Sequence, residues 1–173
     1  VKKSKFVKKV VIATSKDKSD DNLVKYLKKN QISHYRGSLN NVAERLCKVA
    51  ETNKSKFFLR INGDSPLLDK RIIDQSIKLF RKLKFNEFDL ITNIFPRTFP
   101  SGQSVEIIKT SSLRKILKLK LSRLNQEHVT RYFYKKSKYF KIKNFVSSLT
   151  FEKKKYSIDT IEDLKNLKNK IKI

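Results

Sequence analysis

Apolar positions along the chain recur with two different periods, and the switches between them mark out alternating short strands and helices. Residues 9–14, K-V-V-I-A-T, form a β-branched run that predicts a strand. A polar stretch follows, and Asp20 or Asp21 can cap a helix in which Leu23, Val24 and Leu27 recur at helical spacing. Residues 31–36 predict a second strand, stopped by Gly37-Ser38; Asn40 or Asn41 then opens a helix with Val42, Ala43, Leu46, Val49 and Ala50 on one face. Phe57, Phe58, Leu59 and Ile61 read as a short, largely apolar strand of the kind buried in a parallel sheet. A helix after Asp69 carries Ile72, Ile73, Ile77 and Phe80.

Beyond that point residues 89–92 and 105–108 predict strands, separated by a proline-marked loop. Ser111 or Ser112 opens a helix through Leu121, residues 126–136 read as helical and residues 140–145 as extended. The lysine run 153–155 reads as a solvated turn, residues 156–158 as a short strand, and Thr160 with Asp163 as a capping box for a last helix. Strands alternating with helices predict an α/β fold, a mostly parallel sheet with crossover helices on both faces. The second half is more irregular, as in a domain that adds a lobe over its ligand site. No repeat or low-complexity linker divides the 173 residues, so residues 1–173 are expected to form one domain.

Chemistry-bearing residues cluster where predicted strands end. Asn62-Gly63-Asp64-Ser65-Pro66 breaks the third strand sharply and sets a carboxylate at its carboxyl end, where open α/β sheets bind ligands. A hard cation such as Mg²⁺ with a phosphate-bearing substrate suits that position; the plain alternative is that Asp64 is a turn residue or a helix cap. Asp159 repeats the arrangement after 156–158, and two carboxylates on separate strand ends can share one divalent cation. Arg36-Gly37-Ser38 with Arg45 offers phosphate or ribose donors at a strand-to-helix loop, or else a plain turn and a surface arginine. Glu127 and His128 place an acid beside an imidazole that can serve as base or as donor to a sugar hydroxyl, or that is simply structural.

Composition narrows these readings. Lys and Arg number 42 against 16 acidic residues, a net charge of +26, which raises non-specific polyanion affinity and a basic nucleic-acid-binding module as the competing class. The basic residues are mostly lysine and spread over the whole chain, which favours compositional bias over a specific interface. The single cysteine, Cys47, excludes an internal disulfide and a multi-cysteine zinc site. No run of 18 apolar residues and no signal-like start occurs, so no membrane partner and a cytoplasmic setting are expected. With three glycines there is no glycine-rich phosphate cradle, and no serine nucleophile elbow, H-E-x-x-H or P-loop motif is present.

Six stretches in order carry a family resemblance: V-V-I-A-T-S (10–15), Y-R-G-S-L-N-N-V-A-E-R (35–45), L-R-I-N-G-D-S-P-L-L-D (59–69), F-P-S-G-Q-S-V-E (99–106), Q-E-H-V-T-R-Y (126–132) and Y-S-I-D-T-I-E-D-L (156–164). The chain resembles the cytidylyltransferases of the spore coat polysaccharide biosynthesis protein F type, related to the CMP-Kdo and acylneuraminate cytidylyltransferases. The resemblance implies a Rossmann-like nucleotidyltransferase that activates a sugar or sugar acid with CTP for surface polysaccharide synthesis, releasing pyrophosphate, often as a homodimer. By motif match Asp64 and Asp159 would be catalytic Mg²⁺ ligands, Ser38 and Arg45 would lie near the nucleotide, and Glu106, Glu127 and His128 toward the sugar. Ile161 stands where the family usually has proline, and Ser104 where many relatives carry aspartate. The family's opening strand and phosphate-binding loop, resembling A-R-x-G-S-x-R-L-P-x-K, has no counterpart here. The chain is therefore expected to be N-terminally truncated and inactive alone, with a gap between the strands at Val10 and Phe57.

Overall fold

Among the described residues two sheets carry the fold. The computed structural model describes residue 1, residues 4–147 and residues 155–171. Strand β1 (Ile12–Ser15) and strand β2 (His34–Gly37) pair in parallel, with helix α1 (Asp21–Lys29) crossing between them. Helix α2 (Val42–Thr52) leads to β3 (Phe57–Arg60), and α3 (Lys70–Lys82) to β4 (Leu90–Thr92). After β5 (Glu106–Lys109) come α4 (Thr110–Leu117), α5 (Arg123–Glu127), α6 (Arg131–Lys135), β6 (Ile142–Asn144) and α7 (Ile161–Ile171). The second sheet has the order β3-β5-β4-β6.

The α/β class and the helices on both faces agree with the sequence reading. Strands β3, β4 and β6 run the same way, whereas β5 is antiparallel to both its neighbours. The mostly parallel sheet thus contains one reversed strand. Alternation along each strand sorts the core into two layers. Phe58, Ile108, Leu90 and Ile142 are successive cross-strand neighbours, and they pack with Ala43 and Cys47 of α2, Leu113 and Ile116 of α4 and Phe133 of α6. The adjoining row, Leu59, Ile107 and Ile91, faces the opposite way into a cluster with Ile72 and Ile73 of α3, Phe88 and Val105.

Several boundaries differ from the expected ones. Residues 9–11 precede the ladder, and β2 starts only after Gln31, whose φ is 52°. The predicted helix over 126–136 is two short ones, broken at His128 (φ −90°, ψ 83°) so that Val129 and Phe133 both reach the core. Residues 156–158 form no strand among the described residues; Lys155 instead makes a lone bridge to Ser101. Lys153 and Lys154 of the expected turn lie outside the described residues. No described helix is long and apolar enough to cross a membrane.

The edge of β1 away from β2 and the edge of β3 away from β5 have no ladder partner among the described residues. Both border one cleft of about 1090 Å³, with Val10, Ile12 and Ala13 on one side and Phe58, Leu59 and Ile61 on the other.

Candidate active site

The polar end of that cleft forms where β3 stops. Arg45, Arg60, Asp64, Glu127 and His128 all line it. Asp64 is exposed on the loop before α3, and its Oδ1 accepts from the Ser65 hydroxyl at 2.8 Å. Asp69, not Asp64, caps α3, accepting from the Arg71 N–H at 2.8 Å. The Asp64 carboxylate is therefore not a helix cap. The Ile158 N–H donates to the Asp64 carbonyl at 2.8 Å, which brings the segment before Asp159 onto the Asp64 loop.

That segment is pinned from its other side. The Tyr156 N–H donates to the Ser101 carbonyl at 3.0 Å. Beside it Gly102 has φ 82°, and a Cβ there would lie 2.4 Å from the Tyr156 carbonyl carbon. Only glycine fits this approach without strain. Asp159 accepts from Lys155 Nζ at 2.8 Å, and the same ammonium reaches Asp163 at 2.7 Å. Asp163 also completes the expected capping box: Thr160 N–H donates to its carboxylate at 2.9 Å, and Asp163 N–H donates to Thr160 Oγ1 at 3.1 Å. The hydrogen bond from Lys155, then that from the Asp159 amide, holds the Asp163 carboxyl well below the usual carboxylate range. Ile161 follows at the first helical position, 76% exposed, where a proline is not needed to start the helix.

Among the described residues no group of three or more His, Cys, Asp or Glu side chains is arranged to hold a metal ion. Asp64 and Asp159 are exposed carboxylates, the second paired with Lys155, and carboxylates are the donor type that Mg²⁺ takes, one or two at a time, together with waters and substrate phosphates.

On the β1–β2 side, Arg45 packs over Gly37, where a Cβ would fall 2.7 Å from Arg45 Cγ. Its Nη1 donates to the Ser38 carbonyl at 2.7 Å, while its Nε is buried without a partner. Desolvation lowers the guanidinium's pKa, opposed by the charge of Asp20. An orphaned buried donor is uncommon, and the Arg45 side chain also lines the cleft. Ser38 is exposed, its hydroxyl taking the Asn41 N–H at 3.0 Å, and it does not line the cleft. Asp20 makes no side-chain cap for α1. Its Oδ2 turns back to the end of β1, accepting from Thr14 Oγ1 (2.5 Å), Ser15 N–H (2.7 Å) and Ser15 Oγ (2.6 Å). These bonds, the Ser15 hydroxyl's first, lower its pKa to about 2.

Glu106 stands differently from the sequence expectation of a group facing the sugar. It is 1% exposed and absent from the cleft lining. Its Oε2 takes Arg60 Nη1 and its Oε1 takes the Tyr134 hydroxyl, both at 2.5 Å. Arg60, its cross-strand neighbour, is the member of the pair that reaches the cleft. Sequence reasoning passed over Arg60, Tyr134 and the role of Asp20. The one available signal for Arg60 was a lone charge inside an apolar strand. Glu127 and His128 are both exposed at the end of α5. Ser104, a departure from the family pattern, takes both terminal nitrogens of Arg97 at 3.3 and 3.2 Å.

Comparison with known proteins places this architecture. A family model described as cytidylyltransferase matches residues 1–171, and the chain belongs to that family. It is 29% identical over 168 residues to an uncharacterized protein of Methanocaldococcus jannaschii, covering 95% of this chain and 66% of that one. The chain thus spans just under two thirds of that relative's length. It is 29% identical over 175 residues to the spore coat polysaccharide biosynthesis protein SpsF of Bacillus subtilis, covering 97% and 70%. A solved cytidylyltransferase from Leptospira borgpetersenii serovar Hardjo-bovis superposes with TM-score 0.91 at 33% identity, covering 99% of this chain and 71% of that one. A CMP:2-keto-3-deoxy-manno-octonic acid synthetase complexed with CTP shares the fold, with TM-score 0.70, 11% identity and coverage of 98% and 83%.

Proposed function

We propose that the cleft binds CTP and transfers its cytidylyl group to a hydroxyl of a sugar or sugar acid destined for surface polysaccharide, releasing pyrophosphate. The observation that carries this reading is the Ile158–Asp64 backbone bond, which joins the two aspartate-bearing segments at the carboxyl end of β3. Asp64 and Asp159 would hold Mg²⁺, which when bound neutralises triphosphate charge and aligns the reactants. Arg45, which lines the cleft on the β1–β2 side, would offer guanidinium donors to the nucleotide, with the Ser38 carbonyl anchoring it. Glu127 and His128, exposed at the end of α5 and lining the cleft, would face the acceptor, and His128 would take the proton its hydroxyl loses. The acceptor oxygen then bonds to the α-phosphorus as the bond to the β-phosphate oxygen breaks. We include in the proposal a cytoplasmic setting and a homodimer, the latter tested by light scattering.

Open edges on β1 and β3 support a second element of this reading. A strand inserted between them would satisfy both rows of backbone groups, and by the family resemblance such a strand would carry the phosphate-binding loop that transfer uses. The relatives named above are longer than this chain. The test is CTP-dependent pyrophosphate release by residues 1–173 across a panel of sugars and sugar acids. Residues 1–173 alone are expected to bind CTP without turnover; robust turnover refutes the need for the strand. Salt-sensitive binding to arbitrary polyanions in place of CTP favours the basic binding module instead.

A further inference from the structure

A polar row crosses the second sheet on the face that is otherwise apolar. Arg60, Glu106, Thr92 and Asn144 are successive cross-strand partners, one pleat beyond the apolar row Phe58, Ile108, Leu90 and Ile142. The row lies at the carboxyl ends of β3, β4 and β6, the end at which Asp64 follows β3. Tyr134 of α6 closes it from above, its hydroxyl within 2.9 Å of Thr92 Oγ1 and donating to Glu106, while Phe95 stacks on its ring at 4.9 Å. Burial, and then the Glu106 charge, raises the Tyr134 pKa, so it stays a protonated donor.

Such a buried ion pair is poor as a stabilising device, since packed apolar residues often do as well or better. The arrangement is also lopsided. Both Glu106 oxygens are engaged, one by a neutral hydroxyl. The guanidinium has five N–H donors, and among the described residues only Nη1 has a partner. Arg60 is 21% exposed and lines the cleft that Glu106 does not reach. A fork fixed at one tip and open at the other matches a carboxylate or phosphate.

We propose that Arg60, oriented by Glu106 and Tyr134, is the oxyanion-binding residue of the cleft and takes either the carboxylate of a sugar-acid acceptor or a phosphate of the nucleotide. This rests on the nucleotidyl-transfer reading for its biological role but not for its chemistry. Where the acceptor carboxylate is the anion that Arg60 takes, the acceptor class is acidic, the reverse of what a free Glu106 would select.

The experiment is NMR of the full chain labelled with ¹⁵N-arginine, following the Arg60 Nε–H signal assigned by its loss in Arg60→Lys. Pyruvate serves as the carboxylate probe, inorganic pyrophosphate as the phosphate probe and glucose as the neutral control. A saturable shift of Arg60 with one or both oxyanions, and none with glucose, is expected; the probe that moves it identifies the source. No shift, or a non-saturating shift shared by all arginines, overturns the proposal. Tyr134→Phe removes one oxygen atom and leaves more of the Glu106 charge to Arg60, so anion affinity should fall about fivefold, one hydrogen bond's worth. Unchanged affinity in that variant overturns the orienting role. An Arg60 response that persists while CTP fails to bind would sink the nucleotidyl-transfer reading and leave the oxyanion site standing.

Discussion

Replacing Gly102 by alanine should detach the Asp159 segment from the body of the protein without unfolding it. Two costs arise at that position. An alanine at φ 82° loses about 1–2 kcal/mol in the left-handed region. Its Cβ would also sit 2.4 Å from the Tyr156 carbonyl carbon, about 1 Å inside the closest ordinary contact of 3.4 Å, and the atoms it meets are backbone. Keeping the segment in place under that overlap costs about 1–3 kcal/mol more. Releasing it sacrifices the hydrogen bonds from Tyr156 N–H to Ser101 and from Ile158 N–H to Asp64, about 0.5–1.5 kcal/mol each. Release removes the overlap and returns part of the segment's backbone freedom, which offsets the lost bonds, so in the variant release wins. Hydrogen exchange of the Tyr156 and Ile158 amides should accelerate strongly in Gly102→Ala. The urea midpoint should fall only by the equivalent of about 1–2 kcal/mol, the left-handed cost. Unchanged protection of those two amides would refute the reasoning.

Two further outcomes test other parts of the fold. Asp20 is held at about 2 against an ordinary 3.8, so its contribution to stability is complete above 3.8 and is lost as pH falls toward 2; Asp20→Asn should lower stability at neutral pH and flatten the acid limb of a urea-stability profile over that window, and an unaltered slope would count against the Thr14–Ser15 contacts. Phe133, fully buried between α2, α4 and the sheet, should lose about 3–5 kcal/mol on substitution by alanine, measured by urea unfolding, whereas a loss under 1 kcal/mol would mean that the cluster is looser than described.

What could be read in the sequence was largely local. The Asn41 and Thr160 caps follow from short polar side chains placed before apolar periodicity, and each makes its bond; the cap of α3 is Asp69 rather than the Asp64 alternative. The motif residue Asp64 stood out because glycine and proline isolate it at a strand end. Direction was not legible: the apolar alternation of β5 is the same whether it runs with or against its neighbours, and it runs against them. Nor was the break at His128, where Val129 and Phe133 each need a route into one core. Glu106 was singled out by motif alone, and its neutralisation depends on Arg60, 46 residues away, and on Tyr134, 28 residues away. Pairings at that separation are set by the register of β3 on β5 and the docking of α6, which periodicity does not report.

In the proposed function Asp64 and Asp159 would form the metal-binding half of a nucleotide site. Calorimetric titration of the chain with CTP, with and without Mg²⁺, tests it most directly. Saturable binding that requires Mg²⁺ and disappears in both Asp64→Ala and Asp159→Ala is the predicted result. Binding that ignores Mg²⁺, or that survives Asp64→Ala, would contradict it.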